Sequence, residues 1–306
     1  MRILITGGAG FIGSHIAGGL GEDGHEIVVL DDLSTGLRDN LEDLPIDLEL
    51  IVGDVRNRVT VKRALVGIDA VVHLAAIASV PASLESPAET GSVNIQGTAI
   101  LLEEARRQNI SRVVLASSSA VYGEGTPPLT EDSPTDPLSP YGAHKLAGEH
   151  LARSLALAGG PDTVSLRYFN VYGPRQRSDS DYAAAIPIFF RRIEEEKRPR
   201  IFGDGSQTRD FVHVDDVVEA NRRALARGGR FNGEAFNVAR GKAISIETLA
   251  REVLEVAGSD LTPEFADPRP GDILHSSASV EKLRNALGWS PTISIAEGLQ
   301  TAVPVI

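Results

Sequence analysis

Residues 2–14, Arg2-Ile3-Leu4-Ile5-Thr6-Gly7-Gly8-Ala9-Gly10-Phe11-Ile12-Gly13-Ser14, decide the fold. A short β-rich apolar run, a glycine turn and a helical stretch opening at Ser14 stand directly against one another. Gly7 and Gly10 can take backbone angles closed to other residues, and their missing side chains let a pyrophosphate approach the main chain. Gly13 lets the helix pack closely on the strand, so that free N–H groups and the positive dipole end face the phosphates. A second strand, Glu26-Ile27-Val28-Val29-Leu30, ends in Asp31-Asp32, about twenty residues past the turn. A carboxylate placed there accepts hydrogen bonds from an adenosine ribose and repels a 2′-phosphate, so the pattern predicts NAD and not NADP. With 30 glycines in 306 residues a bare glycine triplet would say little; the strand before it and the acidic pair after it make it specific.

Working outward, residues 48–52 and 70–74 read as two further buried strands, separated by a helical stretch at 59–66. A helix over 92–107 carries Thr98, Leu101, Leu102 and Ala105 on one face, and a strand follows at 112–116. Residues 123–140, dense in proline, acid and glycine, form a surface loop. A helix over 140–157 and a strand at 163–167 complete the alternation, which predicts an α/β fold with a doubly wound, Rossmann-type parallel sheet. Beyond Asn170 the rhythm changes to shorter, proline-punctuated elements, and two late helices each follow a serine, Ser245 and Ser279, and run to a glycine, Gly258 and Gly288. The expected domains are a dinucleotide-binding lobe over 1–169 and a smaller C-terminal α/β lobe over 170–306 that binds substrate. The strand-like run Glu234-Ala235-Phe236-Asn237-Val238 is expected to return to the first sheet's edge.

Composition narrows the partners. The chain is 42% hydrophobic and 24% charged, as expected of an ordinary globular protein. A net charge of -12 argues against nucleic acid and anionic membranes, so an anionic substrate has to be held by local arginines. The longest apolar run, 70–82, is broken by His73 and Pro81 and is too short for a membrane span. With no signal peptide ahead of the first strand, the expected location is the cytoplasm. There is no cysteine, and the seven histidines show no metal-ligand spacing, so no metal is expected.

Tyr141-Gly142-Ala143-His144-Lys145 sets a phenol and an ammonium four apart, on one helix face. With five tyrosines and five lysines in the chain, chance would supply such a pair about 0.08 times. The cation is expected to favour the phenolate and lower the tyrosine's pKa, leaving a general base for an alcohol or sugar hydroxyl. Ser117-Ser118-Ser119 ends the strand that begins at Arg112, at the sheet edge where ligand collects; a hydroxyl there shares the moving proton or caps the next loop.

Together with Leu30-Asp31-Asp32-Leu33, Gly53-Asp54-Val55, His73-Leu74-Ala75-Ala76, Ser118-Ser119-Ala120-Val121-Tyr122-Gly123 and Arg167-Tyr168-Phe169-Asn170-Val171-Tyr172-Gly173-Pro174-Arg175, these motifs resemble the extended short-chain dehydrogenase/reductases. Within them the chain is most similar to the nucleotide-sugar epimerases, the UDP-glucose 4-epimerases foremost. The resemblance implies reversible C4 epimerisation of UDP-hexoses, N-acetylated ones included, through a transient 4-keto sugar with bound NAD, in a homodimer formed through residues 92–107 and 140–157. It implies Ser118, Tyr141 and Lys145 as the catalytic set. It implies NAD contacts from Phe11 and Ile12, from Asp31, Asp32, Leu33, Ser34, Thr35 and Gly36, from Asp54 and Val55, from Leu74, Ala75, Ala76 and Ala78, and from Asn94, Tyr168 and Phe169. For the UDP-sugar it implies Asn170, Phe202, Arg209, Arg269, Asp272 and Ser276, the two arginines neutralising the diphosphate through forked, charge-assisted hydrogen bonds.

Departures from the wider pattern narrow the reaction. Ser119-Ala120 stands where dehydratases of this superfamily carry Asp-Glu and where similar sugar-acid decarboxylases carry Glu at the second position. Ala78 and Ala184 replace a lysine and an asparagine found in some UDP-galactose epimerases. Ser276, being small, leaves room for an N-acetyl group. A UDP-glucuronate 4-epimerase would share nearly every motif. A silent NAD-binding sensor would keep the glycine turn but would have no use for Ser118, Tyr141 and Lys145 together.

Overall fold

The computed structural model describes residues 1–178, 184–268 and 273–303. Its centre is a seven-stranded sheet built from β1 (Arg2–Thr6), β2 (Glu26–Asp31), β3 (Leu48–Val52), β4 (Ala70–His73), β5 (Arg112–Ser118), β6 (Asp162–Tyr168) and a later strand at Glu234–Val238. All neighbours in this sheet are parallel. A parallel sheet needs cover on both faces, and alternate residues of each strand supply it: Ile3 and Ile5 enter one apolar cluster, Leu4 the other. From β3 the chain crosses back over β1 to β4, and a crevice opens at the strands' carboxyl ends where the order reverses.

The rest of the chain forms β7 (Asn170–Tyr172), β8 (Arg200–Phe202), β9 (Thr208–His213), β10 (Glu234–Val238), β11 (Ala243–Ser245) and β12 (Glu264–Ala266). β10 is the strand that joins β6 in the large sheet; the others make a three-stranded sheet, β11-β9-β7, and a β12-β8 pair. Phe189, Phe190, Phe211, Leu249 and Leu299 pack this part around its own apolar cluster.

Two segments tie the parts together. The helix Val214–Ala226 packs on Phe11–Glu22, so closely that a Cβ on Gly19 would lie 2.6 Å from Val218 Cγ1, and Arg222 Nη2 donates to the Gly19 carbonyl at 3.1 Å. Trp289 is fully buried and donates from Nε1 to the Asp216 carbonyl at 3.0 Å, while the Asp216 carboxylate accepts from the backbone N–H groups of Thr292 and Ile293.

Local differences from the sequence expectation have local causes. The first helix begins at Phe11, not Ser14, because Gly10 acts as its extended N-cap. The stretch 92–107 is not one α-helix: Ser92–Gly97 is a π-helical turn and Thr98–Arg107 is α-helical, with the Thr98 hydroxyl donating to the Asn94 carbonyl at 2.7 Å. No helix among the described residues is long and apolar enough to cross a membrane.

Candidate active site

A cavity of about 540 Å³ opens at the switch point, and the glycine turn forms one wall. Gly7 has φ +71°, and its N–H donates to the Leu30 carbonyl at 2.8 Å, tying the turn to β2. Gly13 must lack a side chain, since a Cβ there would collide with the Gly7 carbonyl oxygen and lie 2.7 Å from Gly8 Cα. Gly7, Gly10, Phe11, Ile12 and Gly13 all face the cavity. No side chain caps the Phe11–Glu22 helix, so its first-turn N–H groups stay available at the wall. This is a cradle that fits a dinucleotide pyrophosphate.

The end of β2 supplies the second wall, with Asp31, Asp32, Ser34 and Thr35 on the cavity. Both Asp31 oxygens are used internally, accepting from the N–H of Ala9 at 2.9 Å and of Leu33 at 2.8 Å; burial nevertheless raises its pKa. Leu33, at φ 59°, and Gly36, wedged between Ala9 and Asp31, shape this turn from behind the wall. Val55 reaches the cavity, but Asp54 does not: it accepts from Arg56, which lines the wall and also bridges to Glu89 at 2.7 Å. Leu74, Ala75, Ala76 and Ala78 line the loop after β4, whereas Asn94 lies behind them and clasps Ile77, accepting from its N–H at 2.8 Å and donating to its carbonyl at 3.1 Å.

Ser118, Tyr141, Lys145, Tyr168 and Phe169 complete the cavity. Ser118 ends β5, and the Pro140–Leu157 helix, capped by the Ser139 hydroxyl with Pro140 in its first turn, carries Tyr141 and Lys145 inward. The electrostatics differ from the expectation at Tyr141. Burial raises the phenol's pKa, and a hydrogen bond with Ser118 is what opposes it. Lys145 lies with Nζ 5.9 Å from the Tyr141 ring centroid and donates to the Ala116 carbonyl at 2.7 Å; burial pulls its own pKa down to about 8, with Glu149 opposing.

A second cavity of about 460 Å³ shares Val171 and Gln176 with the first. Asn170, Phe202 and Arg209 line it, as does Ala184, and so do Arg192, Arg200 and Gln207, which the sequence did not single out. Asn170 is fixed by donating to the Asp210 carbonyl at 3.0 Å. Ser276 sits beside β9, its N–H donating to the Thr208 carbonyl at 3.1 Å, and is on neither wall. Arg269 and Asp272 lie outside the described residues. Arg56 and Glu89 were missed because their meeting depends on two segments distant in sequence; the Gly53-Asp54-Val55 motif pointed only to their neighbourhood.

Residues 3–239 match the NAD dependent epimerase/dehydratase family. The chain is 39% identical to the UDP-glucose 4-epimerase of Mycolicibacterium smegmatis, over 99% of this chain and 97% of that one. Among solved structures it is similar to the UDP-N-acetylglucosamine 4-epimerase of Methanobrevibacter ruminantium M1 in complex with UDP-N-acetylmuramic acid, with TM-score 0.94 and 38% identity over 99% of this chain and 96% of that one. It is likewise similar to the UDP-glucose 4-epimerase of Thermotoga maritima with UDP-glucose, with TM-score 0.93 and 36% identity over 99% and 97%. A glycine cradle, an acidic strand end and a half-buried tyrosine–lysine pair in one cavity agree with those matches, and the chain belongs to the NAD dependent epimerase/dehydratase family.

Proposed function

We propose that the chain holds NAD in the larger cavity and a UDP-hexose in the second, and interconverts the sugar's C4 epimers. The observation that carries the reading is the convergence of Ser118, Tyr141 and Lys145 on the first cavity, which shares Val171 and Gln176 with the second. When bound, NAD would supply reversible hydride acceptance, which no side chain offers, and the positive charge of its oxidised ring to the cavity that Tyr141 lines. Tyr141 takes the proton of the 4-hydroxyl and later returns it, and Ser118 hydrogen-bonds the oxygen that loses it. Burial raises the phenol's pKa and the Ser118 hydrogen bond opposes it, so added positive charge in a loaded site favours proton removal. Asn170 and Arg209 grip the nucleotide diphosphate and leave the hexose free to present its opposite face. Similarity to both UDP-glucose and UDP-N-acetylglucosamine 4-epimerases supports a UDP-hexose substrate. Incubating purified protein separately with UDP-glucose, UDP-N-acetylglucosamine and UDP-glucuronate, with no added NAD, tests this. Interconversion of the first two is expected, and no 4-epimer from either would refute it.

Ser276 is on neither wall but pairs with Thr208, the neighbour of Arg209 on the second cavity, and a longer side chain there extends towards that wall: Ser276→Tyr is expected to lower kcat/KM on UDP-N-acetylglucosamine by about tenfold or more relative to UDP-glucose. Equal losses on the two sugars would remove Ser276 from specificity. A homodimer formed through residues 92–107 and 140–157 completes the proposal, and light scattering that returns the mass of one chain would remove it.

A further inference from the structure

Beyond Lys145 the Pro140–Leu157 helix carries a third polar residue on the same face, Glu149, one turn further along. Its carboxylate is 7% exposed and fully engaged. Oε1 accepts from Arg167 Nε at 2.9 Å and from the Ser117 hydroxyl, and Oε2 accepts from Arg167 Nη2 at 2.7 Å. Arg167, on β6, donates from Nη1 to the Tyr122 hydroxyl at 2.8 Å, and that hydroxyl donates to Asn237 Oδ1 on β10 at 2.6 Å. Two adjacent strands and the Tyr141-bearing helix therefore meet at one buried carboxylate, through Ser117, which precedes Ser118, and Arg167, with β10 joined to Arg167 by way of Tyr122.

Holding helix to sheet does not by itself require this pair. A buried forked ion pair is costly to desolvate, and well-packed apolar residues of similar volume hold two elements together as well or better. What apolar residues cannot provide is negative potential one turn from a buried ammonium. Resting on the epimerase reading for its consequence in catalysis, we propose that Glu149 is a positioning residue for Lys145 and Ser118: it keeps the ammonium charged and, through Ser117, fixes the end of β5.

The surroundings of Lys145 leave this task to Glu149. Burial pulls the ammonium's pKa down to about 8, and the Glu149 carboxylate is the group that raises it. From β4 the ring of His73 faces it, itself kept neutral because burial, with the Lys145 charge adding, takes its pKa to about 3. From β5 the Ala116 carbonyl accepts a hydrogen bond from it, and on its own helix stand Tyr141, a phenol whose pKa burial raises, and His144, a histidine whose pKa burial lowers. Arg167 faces Glu149 from β6 and fixes it without displacing its charge from the helix.

The test reads Lys145 directly. Five lysines make a protein labelled with carbon-13 at lysine Cε readily resolved by NMR, with Lys145→Met assigning the signal. In Glu149→Gln the Lys145 titration midpoint is expected to fall by about one pH unit or more, a tenfold change in the ammonium-to-amine ratio at fixed pH. Should the uncompensated arginine prevent that variant from folding, Glu149→Gln/Arg167→Met removes both charges and is expected to show a smaller fall, because losing the guanidinium raises the Lys145 pKa while losing the carboxylate lowers it. In the holoenzyme the alkaline limb of kcat for UDP-glucose should move down by the same amount, with KM little changed. A midpoint and limb that stay in place while kcat drops equally at every pH would overturn the proposal and leave Glu149 a scaffold. Wild-type protein inactive on every UDP-sugar would refute the epimerase reading, and the NMR midpoint would still decide this one.

Discussion

Tyr141→Phe is expected to cut epimerisation by about 10²–10⁴-fold, the range that a positioned general acid–base supplies. The change removes one oxygen from a half-buried ring on the cavity wall and leaves the helix capping by Ser139 untouched. Loss should therefore appear in kcat, with NAD content and KM near those of the parent. The pH profile gives the sign a second check. The working form of the residue is the phenolate, whose formation burial disfavours, so in the parent kcat should climb as pH rises through the loaded site's phenol pKa. That climb should be absent from whatever residual activity the variant keeps. Turnover within a few fold of the parent would end the proposed role for Tyr141.

Gly13→Val is expected to lower NAD affinity by about 100-fold or more, close to 3 kcal/mol, and to destabilise the fold as well. The obstacles to a side chain at this position are the Gly7 carbonyl and Gly8 Cα. Backbone cannot rotate aside as a flexible side chain does, so the helix has to retreat from β1, and the cradle opens. Calorimetric titration with NAD and a thermal melt read the two effects separately. An affinity within twofold of the parent would mean that the pyrophosphate is held elsewhere.

The parallel sheet was legible because the signals for it are local. Apolar runs of four to six residues and a glycine turn each specify their own element, and the helix read over 140–157 spans Pro140–Leu157. Most of the residues around the dinucleotide cavity were legible for the same reason, since strand ends carry them. What the sequence did not disclose depends on distant pairing. The docking of Val214–Ala226 on the glycine-turn helix requires Val218 to meet Gly19, and the Arg56–Glu89 bridge joins the ends of two separate units. The π-helical turn at Ser92–Gly97 carries no mark in hydrophobic period. The Tyr141 pKa shows the same limit in energetic form: spacing revealed the neighbouring cation, but only three dimensions revealed the burial that raises the phenol's pKa against the Ser118 hydrogen bond.

β10 comes from a segment beyond β7, β8 and β9, yet it closes the outer edge of β6 with five register pairs. A fragment cut after the last strand of the first half would leave that edge bare, a template on which other chains can pair. The two halves thus cannot be exchanged like modules on a string, and a recombinant that grafts a new second half must bring a compatible closing strand with it. Diversification of this scaffold is then expected to run through loop and side-chain replacement and not through fusion.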